Sequence, residues 1–163
     1  HRGTLKGRSY DDREKFIKNL MEQCKNIKFD IFGINNVQPI WADHYFKTIS
    51  NAKMGLNLSR GKAIKYYSSD RITQIVGNGL VCLIDEKTKY RNFFNDNEMV
   101  FYSNISDLSE KILKISKEDK LRRKIAKNGK EKYMKYFNST LVANYIINKT
   151  LDLKNKKNYL WEK

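Results

Sequence analysis

The stretch Tyr66–Asp85 (YYSSDRITQIVGNGLVCLID) constrains the fold more than any other part of the chain. Ser68, Ser69 and Asp70 are each suited to cap a helix. Ile72, Ile75 and Val76 then recur at helical spacing. Gly77-Asn78-Gly79 ends that helix, because Gly and Asn tolerate positive φ. Leu80 to Ile84 is an unbroken apolar run, as expected of a strand buried on both faces, and Asp85 closes it. The unit is therefore helix, glycine turn, buried strand. In α/β proteins, a helix start beside the crevice of a parallel sheet is where anionic ligands are held.

The flanking sequence extends this alternation. Residues 1–9 hold two glycines with Arg2, Lys6 and Arg8, either a phosphate-facing loop or a frayed terminus. Tyr10 to Cys24 predicts a helix, with acids Asp11, Asp12 and Glu14 in its first turn and Phe16, Ile17, Leu20, Met21 and Cys24 on one face. Ile27 to Phe32 alternates and stops at Gly33, which predicts a strand. Ala42 to Ala52 predicts a short helix with Tyr45, Phe46 and Ile49 inward. Met54 to Leu58 predicts a strand, followed by the loop Ser59-Arg60-Gly61-Lys62-Ala63-Ile64-Lys65. Beyond Asp85, an aromatic-anchored turn (Tyr90, Phe93, Phe94) precedes a strand over Glu98 to Tyr102. Three helices follow. The first starts at Ser106 or Asp107 with Leu108, Ile112 and Ile115 inward. The second runs from Glu118 to Phe137 on a face of Leu121, Ile125, Tyr133, Met134 and Phe137. The third is capped by Asn138 or Ser139, with Leu141, Val142, Tyr145, Ile146 and Leu151 as its apolar residues. This order predicts an α/β fold, a Rossmann-like parallel sheet flanked by helices with extra C-terminal helices. Residues 1–152 form one domain and 153–163 a polar tail. The same logic expects a further strand before Gly3, and the chain starts with His1, so it reads as a piece of something longer.

Charge narrows the partner. Lys and Arg total 33 against 18 acids, a net charge of +15, which implies an anionic partner or else a solvated Lys-rich surface. Nucleic acid, a phosphorylated small molecule and an acidic membrane surface all fit. Cys24 and Cys82 lack metal-ligand spacing and read as buried free thiols in a reducing, cytoplasmic compartment. No apolar run approaches the roughly 20 residues of a spanning helix.

Little in the inventory is suited to catalysis. There is no G-x-G-x-x-G after a strand, no P-loop and no H-E-x-x-H. The two histidines, His1 and His44, leave little for a His-based triad, and a zinc site is not indicated. What remains is the loop and helix at Ser68–Gln74. Helix N–H groups with Arg60, Lys62 and Arg71 nearby suit a diphosphate, and the Gln74 amide suits ribose hydroxyls. The alternative is an ordinary capped helix whose arginine pairs with a local acid.

Six segments in order resemble one family. They are YDDREKFIKNL, FDIFG followed by a Pro-bearing loop and Tyr45, NAKMGLNL, SSDRITQIVGNGLVCLID, FFNDNEMVFYSNISDLSEKI, and LRRKIAKNGKEKY. From about Tyr10 to Ile147 the chain resembles the C-terminal, donor-binding half of a GT-B group-1 glycosyltransferase, of the spore-maturation-protein-like kind. The fourth segment is similar to the family's S-x-R-x-x-E-x-x-x-x-G, and the sixth to its R-x-x-I-A-x-x-G.

The resemblance implies a nucleotide-sugar donor and no metal or other cofactor. It places donor contacts at Arg60, Lys62, Ser69, Arg71, Gln74, Gly77 and Gly79. Gln74 stands where the family has a ribose-binding Glu. In the family's E-x7-E pattern, the place of the first acid is held by Tyr66. The acceptor site and any general base would lie in an N-terminal domain, so the chain alone would turn over no sugar. A lipid-linked acceptor would place the protein at the inner face of an anionic membrane. The rival reading is a basic nucleic-acid-binding module without catalysis. The resemblance disfavours it, as do aromatic residues that fall on apolar helix faces.

Overall fold

The sheet is built around the strand at the end of that central stretch. The structure is a computed structural model describing residues 12–33, 37–59, 61–67, 69–153 and 159–162. The basic loop with Arg2, Lys6 and Arg8, together with Arg60 and Ser68, lies outside the described residues.

Among the described residues three parallel strands, β1 (Met54–Asn57), β2 (Val81–Asp85) and β3 (Val100–Tyr102), lie in the order β1-β2-β3. Met54 is in register with Val81, and Leu83 with Val100. The central strand β2 is hydrogen-bonded on both edges and covered on both faces, which is why its sequence is continuously apolar. Its alternate residues enter two different cores. Val81 and Leu83, with Val100 and Tyr102, meet Leu20 of the first helical segment, α1 (Asp12–Gln23), Cys24 in the turn after it, and Leu108, Ile112 and Ile115 of α4 (Ile105–Lys117). Cys82 and Ile84, with Phe101, meet Ile72, Ile75 and Val76 of α3 (Asp70–Gly77), along with Tyr90 and Phe94. The sheet is therefore covered on both sides, as predicted.

The long helix α5 (Asp119–Tyr136) packs on β2, α3 and α4 and joins the two cores. Its Ile125 and Ala126 enter one core and its Tyr133 the other. Arg122, Ile125, Ala126 and Gly129 are all buried, so the R-x-x-I-A-x-x-G segment is the packed stripe of this helix. A Cβ on Gly129 would overlap the carbonyl oxygen of Glu98, so α5 approaches the loop before β3 as closely as backbone permits. Among the described residues two further α-helices are present, α2 (Ala42–Asn51) ahead of β1 and α6 (Ser139–Thr150) after α5. Asn138 caps α6 by accepting from the Leu141 N–H at 2.9 Å. Beyond it, Trp161 lies against Tyr145, Tyr159 and Phe137.

Several local expectations need correction. Ile27 to Phe32 alternates in burial, but it joins no ladder among the described residues. Its alternation is met by packing Ile27 and Phe29 on the α1–α4 side of the core, and covering one face needs no strand partner. Met21 and Phe46 turn outward, Phe46 being 56% exposed. Met134 is 46% exposed, because α5 turns Gly129 and Tyr133 inward instead. The start of α4 is earlier than Ser106. Asn104 accepts from the Asp107 N–H at 3.0 Å, and Asp107 in turn accepts from the Ser103 N–H at 2.8 Å. These reciprocal bonds satisfy donors that the helix itself cannot.

Candidate functional site

The stretch predicted to hold an anion lies at the C-terminal end of β1, where the chain leaves the sheet and returns as α3. Ser69 is the N-cap residue of α3, with an extended backbone, yet its side chain makes no capping bond. Its hydroxyl instead donates to Oδ1 of Asn57 at 3.1 Å. Arg71 Nη1 donates to the same oxygen at 3.3 Å and to the Leu58 carbonyl at 2.9 Å. Asn57 is the last residue of β1 and only 2% exposed. One buried amide oxygen thus gathers the two candidate side chains from the start of α3.

Gln74 lies three residues beyond Arg71, hence on the same side of α3, and is half-buried. Lys62 is exposed in the loop between β1 and α3. Gly77 and Gly79 are not brought to this place. They sit at the other end of α3, about 12 Å away for a helix of this length, with Met134 and Lys130 of α5 as their nearest neighbours. Gly79 has φ +74° and makes the turn from α3 into β2. Arg60 falls outside the described residues.

The loop carrying Lys62 is pinned at its far end. The Tyr66 N–H donates to the Thr88 carbonyl at 2.8 Å, and Asn92 Nδ2 donates to the Tyr66 hydroxyl. The Tyr66 ring lies 4.9 Å from Phe93, and Lys65 Nζ sits 4.8 Å from the centroid of that same Tyr66 ring. Tyr66 is therefore committed to the turns that follow β2. Asp85 closes β2 and accepts from the Lys87 N–H at 2.8 Å, capping the first of those turns.

Two residues of this region were not among the predicted site residues. Asn57 stood inside M-G-L-N-L, a segment read only as a strand. The available signal was a polar side chain at the C-terminal end of an apolar strand, where open α/β sheets place their ligands. Tyr45 of α2 is the other. Burial raises its pKa, the Asp70 carboxylate adds to the rise, and the Arg71 guanidinium opposes it. The phenol thus lies within electrostatic reach of both charges at the start of α3. His44 beside it is exposed.

The thiols are buried, as expected. Burial pushes the Cys82 thiol up to about 12, only partly offset by Arg71, and burial also raises Cys24. Both are neutral at pH 7 to 8, and the thiolate is the reactive form. Neither thiol is expected to react with a disulfide reagent such as DTNB at pH 8 in the folded chain, and both should react once it is unfolded in guanidinium. A fast native phase would show that one of them is reached without unfolding.

Among the described residues no group of three His, Cys, Asp or Glu could hold a metal ion, and no helix is long and apolar enough to cross a membrane. Phe94, Phe101, Tyr90 and Tyr102 are core residues, so the structure does not set these rings out as a platform for bases. No curated protein and no solved structure matches the chain. Residues 8–148 match a family described as glycosyl transferase-like. That span takes in the whole sheet and the Asn57–Ser69–Arg71 cluster, and by it the chain belongs to the glycosyl transferase-like family.

Proposed function

We propose that the chain is the donor-binding part of a group-1 glycosyltransferase of the spore-maturation-protein-like kind, holding the diphosphate of a nucleotide-sugar at the start of α3. The observation that carries the reading is the convergence of Ser69 and Arg71 on buried Asn57 at the C-terminal end of β1, in a chain of this family. Arg71 supplies a planar guanidinium suited to phosphate oxygens, and Lys62 and Arg60 supply charge from the preceding loop. In sugar transfer, negative charge grows on the leaving diphosphate. Fixed cations and helix N–H groups aimed at it stabilise the transition state without a metal. Gln74, one turn along, offers its amide to the ribose, with hydrogen bonds but without the charge of a Glu. Gly77 and Gly79 contribute through the turn that sets α3 against β2.

The acceptor and any general base belong to a partner domain on the N-terminal side, facing the cation-rich loop. A lipid-linked acceptor at an anionic cytoplasmic membrane surface fits the net charge of +15. The chain by itself then binds nucleotide weakly and transfers no sugar.

The test is a thermal-shift titration of the chain with UDP-, GDP-, ADP- and CMP-sugars at millimolar concentration. A rise in Tm with one base series is expected. Ligand at a hundred times its Kd adds about 2.7 kcal/mol, which is about 8 °C for a chain of this size. No rise with any of the four overturns the reading.

A further inference from the structure

We infer that Asn57 is the positioning residue of the nucleotide-diphosphate site, acting through Arg71 and Ser69 without touching the ligand. The inference rests on the donor-binding reading above. It starts from an oddity of α3: its N-cap is a serine, the residue type that ordinarily caps its own helix, and it does not do so. Its hydroxyl proton goes to Asn57 Oδ1, which also receives Arg71 Nη1. Asn57 is almost wholly buried and is paired with Ile84 in the sheet. A mobile guanidinium loses rotamer freedom when it captures a phosphate, and one already held by a fixed acceptor loses less.

An amide is the chemistry this position calls for. An Asp here would hold Arg71 more strongly, but it would cancel the charge that the diphosphate needs. A Leu would leave Arg71 and Ser69 without their shared acceptor. A neutral acceptor holds the guanidinium and leaves its charge uncompensated for the phosphates. One edge of the guanidinium, through Nη1, is bound to Asn57 and Leu58, so orientation is set from the protein side.

The test is a double-mutant cycle read by calorimetry with UDP, GDP and ADP, each against its nucleoside. If Asn57 works by orienting Arg71, Asn57→Ala weakens diphosphate binding about tenfold and leaves nucleoside binding within about twofold. In an Arg71→Ala background the same substitution changes diphosphate binding by less than about twofold, since the guanidinium that Asn57 orients is gone. Asn57→Asp, which is isosteric and keeps the acceptor, guards against a folding failure of the Ala variant. It is expected to hold the wild-type Tm at pH 8 and still lose about tenfold for the diphosphate.

Equal losses for diphosphate and nucleoside, or the same loss in both backgrounds, would reduce Asn57 to a structural role and overturn the inference. Wild-type binding of a diphosphate with Asn57→Ala unaffected overturns the inference alone. No binding by the wild-type chain overturns the donor-binding reading and this inference together.

Discussion

Gly129→Ala is expected to destabilise the chain by about 2 kcal/mol, although Ala is the better helix former. Two effects oppose each other. Alanine in a helix interior gains about 1 kcal/mol over glycine. Against that, the new Cβ would overlap the carbonyl oxygen of Glu98, with the carbonyl carbon at 3.3 Å. Overpacking against a core costs about 1–3 kcal/mol, and the upper end applies here because the obstacle is backbone. The Glu98 backbone is itself fixed. Its N–H donates to the Asn95 carbonyl at 3.0 Å, and its carboxylate is bound by Lys132 at 2.8 Å. The loop leads directly into β3, so relief would be drawn from the sheet. A fall in Tm of about 6 °C is expected for this size. Gly77→Ala is the control. It is helical, and its Cβ would meet only the Met134 Cε at 3.7 Å, an ordinary contact. It should leave Tm unchanged or raise it. Equal Tm values for the two variants would mean that α5 can back away from the loop without loss.

The same glycine shows what kind of information the sequence carried. R-x-x-I-A-x-x-G was legible as a family pattern, and its spacing of three, four and seven residues is that of one helix face. Structurally it is the stripe that lets α5 close on the sheet. Periodicity likewise sufficed for α3, β2 and the inward residues of α4, where the apolar spacing and the burial agree.

It failed where one pattern has two physical realisations. Ile27 to Phe32 alternates in burial as a strand does, but a ladder depends on a neighbour that sequence periodicity does not report. Met134 and Tyr133 are adjacent on α5, and Tyr133 is the buried one, its hydroxyl 2.9 Å from that of Thr73 on α3. The site was legible as a stretch but not as a cluster. Asn57 and Ser69 are twelve residues apart and meet only because β1 and α3 lie side by side. Gly77 and Gly79 lie close to Arg71 in sequence, yet the rise of a helix carries them to its far end.

Arg71→Ala is expected to lower affinity for a nucleoside diphosphate between about tenfold and about a hundredfold, with nucleoside binding kept. A hydrogen bond between charged groups is worth about 1.5–3 kcal/mol, and about 1.4 kcal/mol is a factor of ten. Part of any measured change will be structural. Arg71 Nη1 also serves the Leu58 carbonyl and Asn57, so its loss takes that donor from Leu58 and leaves Asn57 Oδ1 with the Ser69 hydroxyl. That loss predicts a lower Tm for the ligand-free variant, on the order of 1 kcal/mol. The two effects separate by ligand. A loosened β1 end would weaken nucleoside and diphosphate alike, whereas loss of a phosphate contact weakens only the latter. Arg71→Lys sharpens the distinction, because lysine keeps the charge and gives up the planar fork. It should recover part of the affinity and little of the Tm. Calorimetric titration at two salt concentrations completes the case: with the guanidinium on the phosphates, the wild-type advantage over Arg71→Ala shrinks as salt rises. An advantage that is independent of salt, or equal for nucleoside and diphosphate, would make Arg71 a strap for β1 and move the diphosphate elsewhere.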